Sequence, residues 1–254
     1  MLHPVIPFNK KVVKLKPFTM QNALEFYYIG DDYKTIIKKL ESFILTKGLN
    51  ITEKLYSLFY LRDSCVGSMI NTPYTVIDAD TFLREFDEIL DINKKVKVDN
   101  IEVEFDYPYN FSSTILDETE IIKSIKIDAE TVYLNKLNKK DREALINSLP
   151  SDINEKLKLF VKENINNLCI DVPIKSEKLR LDYRSNTLVL FLKSIFSVVT
   201  PHSYREYIFS LSRRMHDINF LNNSTFVDIE DYLDLYIKEN EQNKNTGDQT
   251  LDGF

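Results

Sequence analysis

Leu58-Phe59-Tyr60-Leu61-Arg62-Asp63-Ser64-Cys65-Val66-Gly67 opens the stretch whose reading decides the fold. It reads as the end of an apolar helix stopped by a glycine. A second helical segment follows, and then Val96-Lys97-Val98-Asp99-Asn100-Ile101-Glu102-Val103-Glu104-Phe105, closing on Tyr107-Pro108. A two-residue turn at Asp99-Asn100 pairs Val98 with Ile101 and Val96 with Val103, which puts four apolar side chains on one face. The other face then opposes Lys97 to Glu102 and Lys95 to Glu104. Burial and cross-strand charge select the same register. Helix followed by hairpin, in one continuous stretch, is the signature of an α+β chain.

Working outward, helices dominate. Tyr33, Ile36, Ile37, Leu40, Phe43 and Ile44 recur at three- and four-residue steps, with Gly48 placed to end the helix. Thr19 is a candidate cap for an earlier helix and Thr52 for the one running into Leu58. Asp80 and Thr81 precede Phe82, Leu83, Phe86, Ile89 and Leu90. Later helical faces comprise Ile153, Leu157, Phe160, Val161 and Ile165, then the apolar residues 188–199, then residues 204–215. Ser224 or Thr225 caps a last helix carrying Ile229, Leu233, Tyr236 and Ile237. A second hairpin opposes Ile170, Val172 and Ile174 to Leu179, Leu181 and Tyr183 across residues 175–178; Pro173, lacking an N–H, belongs on an edge. The expected fold is α+β, predominantly helical, with two small antiparallel hairpins.

Three zones follow from composition. Residues 1–16, punctuated by Pro4 and Pro7, read as an extended apolar arm, with Ile6 and Phe8 as candidate docking side chains. Residues 17–240 are patterned throughout without a Gly-, Pro- or Ser-rich linker, with a subdivision near 110–125 as the one candidate. Residues 241–254, polar and rich in Asn, read as a mobile tail, with Phe254 as a candidate terminal anchor.

The chain has 254 residues, 43% of them apolar, enough for a sizeable core without disulfide or metal. Cys65 and Cys169 lie far apart and lack the close ligand spacing of a zinc site, so two reduced thiols are expected. There is no charged-then-apolar leader, and no window approaches about 18 uncharged apolar residues, so a soluble, non-exported protein without membrane partners is expected. A net charge of −6 argues against a dedicated nucleic-acid binder. Arg205, Arg213 and Arg214 span two helical turns. They suit a solvated face better than an acidic partner or RNA.

Catalysis finds little support. His202 lies in Thr200-Pro201-His202-Ser203, a helix start, and His216 near a helix end, where a cation favours the dipole; His3 lies in the arm. No Gly-Xaa-Ser-Xaa-Gly elbow or HExxH helix is present. Five glycines leave little for phosphate-cradling loops. Asp228, Glu230 and Asp231, and Asp87, Glu88 and Asp91, lack the turn-forming glycine of a cation loop. No cofactor, metal or catalytic residue is expected.

Lys14-Leu15-Lys16-Pro17-Phe18 followed by a helix, Leu61-Arg62 through Val66-Gly67, and the sheet segment ending in Tyr107-Pro108 resemble the T-even-type phage baseplate hub family, subunits or assembly proteins of the hub. The later order of helix, hairpin and apolar helix is similar to it as well. Lys16, Cys65 and Ser68 depart from the family pattern, where arginine, serine and glutamate are expected. The resemblance implies a non-enzymatic structural subunit of the central hub of a contractile tail, sited in the virion baseplate and assembled in the host cytoplasm. Its partners would be other tail or hub proteins, including the tape-measure protein. A transient tail-assembly chaperone and a nucleic-acid-associated accessory factor are the alternatives. Phe18, Arg62 and Tyr107, from the matching motifs, join Ile6, Phe8, Arg213, Arg214 and Phe254 as candidate partner-binding residues.

Overall fold

The structure is a computed structural model, described over residues 5–8, 11–72, 76–90, 95–109, 111, 121–165, 169–174, 177–183, 185–215 and 217–247. The chain starts with strands β1 (Val5–Phe8) and β2 (Lys11–Lys14), antiparallel with Val5 opposite Lys14 and Phe8 opposite Lys11. The extended segment expected over residues 1–16 therefore folds back on itself in its described part. Val13 and Leu15 are fully buried. The backbone on either side of Leu15 is held by residues 43–46: the Lys16 N–H donates to the Phe43 carbonyl at 2.8 Å, and the Leu45 N–H to the Lys14 carbonyl at 2.9 Å.

Three capped helices follow. Thr19 caps α1 (Met20–Tyr28), its side chain accepting from the Asn22 N–H while Asn22 accepts from the Thr19 N–H. Asp32 caps α2 (Tyr33–Glu41) by accepting from the Thr35 N–H at 3.1 Å. The cap of α3 (Ile51–Val66) is Asn50, not Thr52: Asn50 accepts from the Glu53 N–H at 2.9 Å, and Glu53 accepts in return from the Asn50 N–H at 2.9 Å. Thr52 hydrogen-bonds back to the Asn50 side chain instead. Gly67 ends α3 at φ +105° and ψ 160°, a conformation that excludes side chains bearing a Cβ except under strain.

The short strands β3 (Met69–Asn71) and β4 (Val76–Asp78) pair antiparallel and lead into α4 (Ala79–Leu90). Next comes β5 (Lys95–Val98) and β6 (Ile101–Phe105), in the expected register of Val96 with Val103 and Val98 with Ile101. The ion pairs differ from that register in an instructive way. Lys95 reaches diagonally to Glu102 at 3.1 Å, because Glu104 is taken at 2.7 Å by Lys123 of the neighbouring strand. That strand, β7 (Ile122–Ile127), and β8 (Glu130–Tyr133) extend the hairpin to a four-stranded sheet ordered β5-β6-β7-β8. The sheet content is thus larger than two hairpins. The turns at Asp99 and Asp128, both at φ +52°, are tied at one end of the sheet by Asn100 donating to Asp128 at 2.9 Å.

Helices α5 (Lys139–Asn147) and α6 (Ser151–Phe160) follow, α6 loosening into a π-helical turn over Val161–Ile165. The second expected hairpin is β9 (Cys169–Ile174) with β10 (Glu177–Asp182). Its pairing begins at Glu177 with Ile174, so the turn is shorter than the sequence reading. Then come α7 (Asn186–Phe196), α8 (Pro201–Met215), α9 (Ile218–Asn223) and α10 (Phe226–Gly247). Thr225 and Asp228 cap α10 reciprocally at 3.1 and 3.2 Å. The helical backbone of α10 runs through Gly247, into the stretch expected as a tail.

The core is aromatic at its centre. The Phe18 ring meets Phe26, Phe43 and Phe196 with centroids 5.7, 5.5 and 4.9 Å apart, so the residue after Pro17 is where the N-terminal segment, α1, the end of α2 and α7 converge. Each such buried ring contributes about 2–3 kcal/mol of apolar transfer, with somewhat more for ring geometry. Phe59 stacks on Phe82 at 4.6 Å and Phe105 on Phe160 at 4.8 Å, joining α3 to α4 and the sheet to α6. A smaller cluster of Met20, Leu211, Leu221 and Ile229 docks the last three helices onto α1.

Candidate functional site

Three of the candidate partner-binding residues lie inside the molecule, and all three converge on α3. Arg62 is 4% exposed. Its Nε donates to the Ile195 carbonyl at 2.8 Å, one terminal nitrogen to the Met69 carbonyl at 2.9 Å, and the other to the carbonyl of Gly67. One planar cation thereby closes the end of its own helix, fixes the start of β3 and grips the C-terminal turn of α7. Burial lowers its pKa to about 10, which leaves it cationic at neutral pH. Phe18 is fully buried, and its N–H donates to the Cys65 Sγ at 3.5 Å, one turn beyond Arg62. Burial also raises the Cys65 thiol, which keeps it protonated and a poor nucleophile.

The Tyr107-Pro108 segment does the equivalent at the other end of α3. The Ile51 N–H, in the unsatisfied first turn of the helix, donates to the Pro108 carbonyl at 2.7 Å. The Asn50 side chain donates to Asp106 at 2.7 Å, and the Tyr109 hydroxyl donates to the same carboxylate at 2.9 Å. Tyr107 itself is fully buried, and burial beside Asp106 drives its phenol far above the ordinary value. The motifs that carry the sequence resemblance are therefore joints, fastening the N-terminal segment, α7 and the sheet to one central helix.

Ile6 and Phe8 are in β1, but their side chains lie outside the described residues, as do those of Arg213 and Arg214 near the end of α8. Phe254, His3, His216 and Asp91 lie outside them altogether, and so do the side chains of Asp87 and Glu88. His202 is exposed and faces Glu206 one turn on at 3.3 Å. Among the described residues no three His, Cys, Asp or Glu side chains gather as a metal site would require. Asp228 is occupied as a capping partner of Thr225. No described helix is long and apolar enough to cross a membrane.

In each of two open clefts a lysine is tied to neighbouring oxygens. One, of about 320 Å³, is lined by Glu41, Ile44, Lys54 and Tyr109, and Lys54 is bound at 2.6 Å both to Glu41 and to the Tyr109 carbonyl. The other, of about 420 Å³, lies between α1 and α7, where Lys193 is bound to Asp31 at 2.8 Å and to the Gly30 carbonyl at 3.1 Å. Tyr27 and Leu190 line this second cleft and are exposed, with Tyr28 beside them.

A second apolar surface, not anticipated from sequence, lies on the C-terminal helices. Phe220 of α9 meets Tyr232 of α10 at 6.3 Å between centroids, and Leu235, 62% exposed, follows one turn along. Its signal was present in the chain: α10 carries more apolar residues than the one stripe through Ile229 and Leu233 needs.

Comparison with known proteins adds one match. The model of the family described as T4 bacteriophage base plate protein covers residues 2–196, ending with α7. No curated protein and no solved structure matches the chain.

Proposed function

Because this chain belongs to the T4 bacteriophage base plate protein family, we propose that it is a non-enzymatic structural subunit of the central baseplate hub. The tail baseplate is its place in the virion, with assembly in the host cytoplasm before it. Its partners are neighbouring tail and hub proteins, the tape-measure protein among them. The observation that supports the structural role is the pairing of a jointed interior with exposed apolar side chains on two sets of helices. One set carries Tyr27, Tyr28 and Leu190, and the other is α9 with α10. A subunit held between neighbours presents more than one such face, and each becomes the apolar centre of an interface. The family membership itself supports a structural over a catalytic role.

Quantitative mass spectrometry of purified virions and of tail-assembly intermediates tests the reading. Stoichiometric presence in virions is expected. Presence in intermediates alone would make the protein a chaperone, and absence from both would overturn a baseplate role.

A further inference from the structure

The C-terminal helices lie beyond the part of the chain that the family shares, and their surface has a definite chemistry. At 100° per residue, Tyr232 and Leu235 fall on one flank of α10, with Asp228 and Asp231 each one turn before them on the same flank. Phe220 of α9 continues the strip through its contact with Tyr232. Asp217, which accepts from the Phe220 N–H at 3.0 Å, adds a third carboxylate beside the strip, and Lys238 is the one base on that flank among residues 217–238, while Glu230 and Asp234 fall on other sides of α10. The strip is thus apolar at its centre, with an excess of carboxylates around it.

From this we infer that the Phe220, Tyr232 and Leu235 strip docks an amphipathic segment of another protein, one whose apolar residues are flanked by lysine or arginine. Charge decides against the other occupants. A second copy would bring the same carboxylates against themselves, and like charges juxtaposed across an interface oppose association. The chain's own last residues, 248–254, carry Asp248 and Asp252 and no base. Only a basic partner removes the apolar strip from water and neutralises its carboxylates together. That this partner is another tail protein rests on the function proposed above; the docking chemistry does not.

The test uses the full chain and two helical peptides of about 18 residues, long enough for several turns. One alternates Leu and Lys at helical spacing, and the other has Glu in place of every Lys. Titration calorimetry is expected to show the Lys peptide binding at least about tenfold more tightly than the Glu peptide, with affinity falling as salt rises. Leu235→Glu and Asp231→Lys, both at exposed positions, are expected to weaken the Lys peptide at least about fivefold while the circular dichroism spectrum stays unchanged. Binding indifferent to both substitutions, or equal for the two peptides, would overturn the inference. So would a wild-type dimer, seen by light scattering, that Leu235→Glu dissolves. None of these results bears on whether the protein is in virions, so the two readings fail separately.

Discussion

At the scale of the residue, Arg62 sets the terms. Its guanidinium bonds three carbonyls from three segments, so main-chain oxygens hold the buried charge. Arg62→Met would leave those carbonyls buried without donors, and about 3 kcal/mol or more of stability should be lost in a urea titration. Arg62→Lys should recover only a fraction of it, because an ammonium cannot span the fork. Asp63, next in sequence, has the opposite relation to its surroundings. Partial burial raises its carboxyl, with Asp80 and Asp78 adding repulsion. A carboxyl raised in the folded state favours folding while protonated, below its unfolded value near 3.8, and that contribution is lost as pH rises through the folded value. Asp63→Asn is therefore expected to raise stability at pH 7 by up to about 1 kcal/mol, the exposure of the site limiting the gain. Thermal melts of the two proteins should converge as pH is lowered toward the unfolded value.

At the scale of the element, the caps are the most exposed to single changes. Thr225→Ala removes one half of the reciprocal bond that starts α10 and should lower stability by about 1 kcal/mol, measurable in the same titration. Caps and faces are also what was most legible in the chain. Thr19, the register of β5 with β6 and the positions of α4 and α7 follow from side-chain chemistry within a few residues of each other, whereas α2 stops at Glu41, short of the Phe43, Ile44 and Gly48 expected to complete and end it. Other elements were not legible in this way. Strands β3 and β4 are three residues long, too short for alternation to register. Ile122-Lys123-Ser124-Ile125 buries Ile122, Ser124 and Ile125, so a small polar residue and an adjacent apolar one blur the period of β7. The cap at Asn50 competed with an equally plausible Thr52, and tertiary contact with Asp106 distinguishes them. The joint at Arg62 was illegible for a different reason: its acceptors are main-chain carbonyls, which every residue carries.

At the scale of the whole molecule, the two ends of the chain are attached differently. Strand β2 is held to residues 43–46 through Lys14, so deleting residues 1–8 removes a strand that pairs with β2 alone. The shortened protein should keep its unfolding midpoint and lose affinity for its tail partners; unchanged co-purification would rule out docking through this segment. Truncation after residue 196, the limit of the family match, should be much more damaging. It strips Leu211, Leu221 and Ile229 from Met20 and removes the Ser224 carbonyl that accepts from the Met20 N–H at 3.2 Å. The truncated chain is expected to bind a hydrophobic dye and to melt at lower temperature. The same contact has a meaning in time. Met20 leaves the ribosome about 200 residues before Ile229, which at about 5–20 residues per second is an interval of about 10–40 s. Throughout that interval the first helix exists with its outer face uncovered, and the chain becomes safe from its neighbours on the polysome only when its last helix arrives.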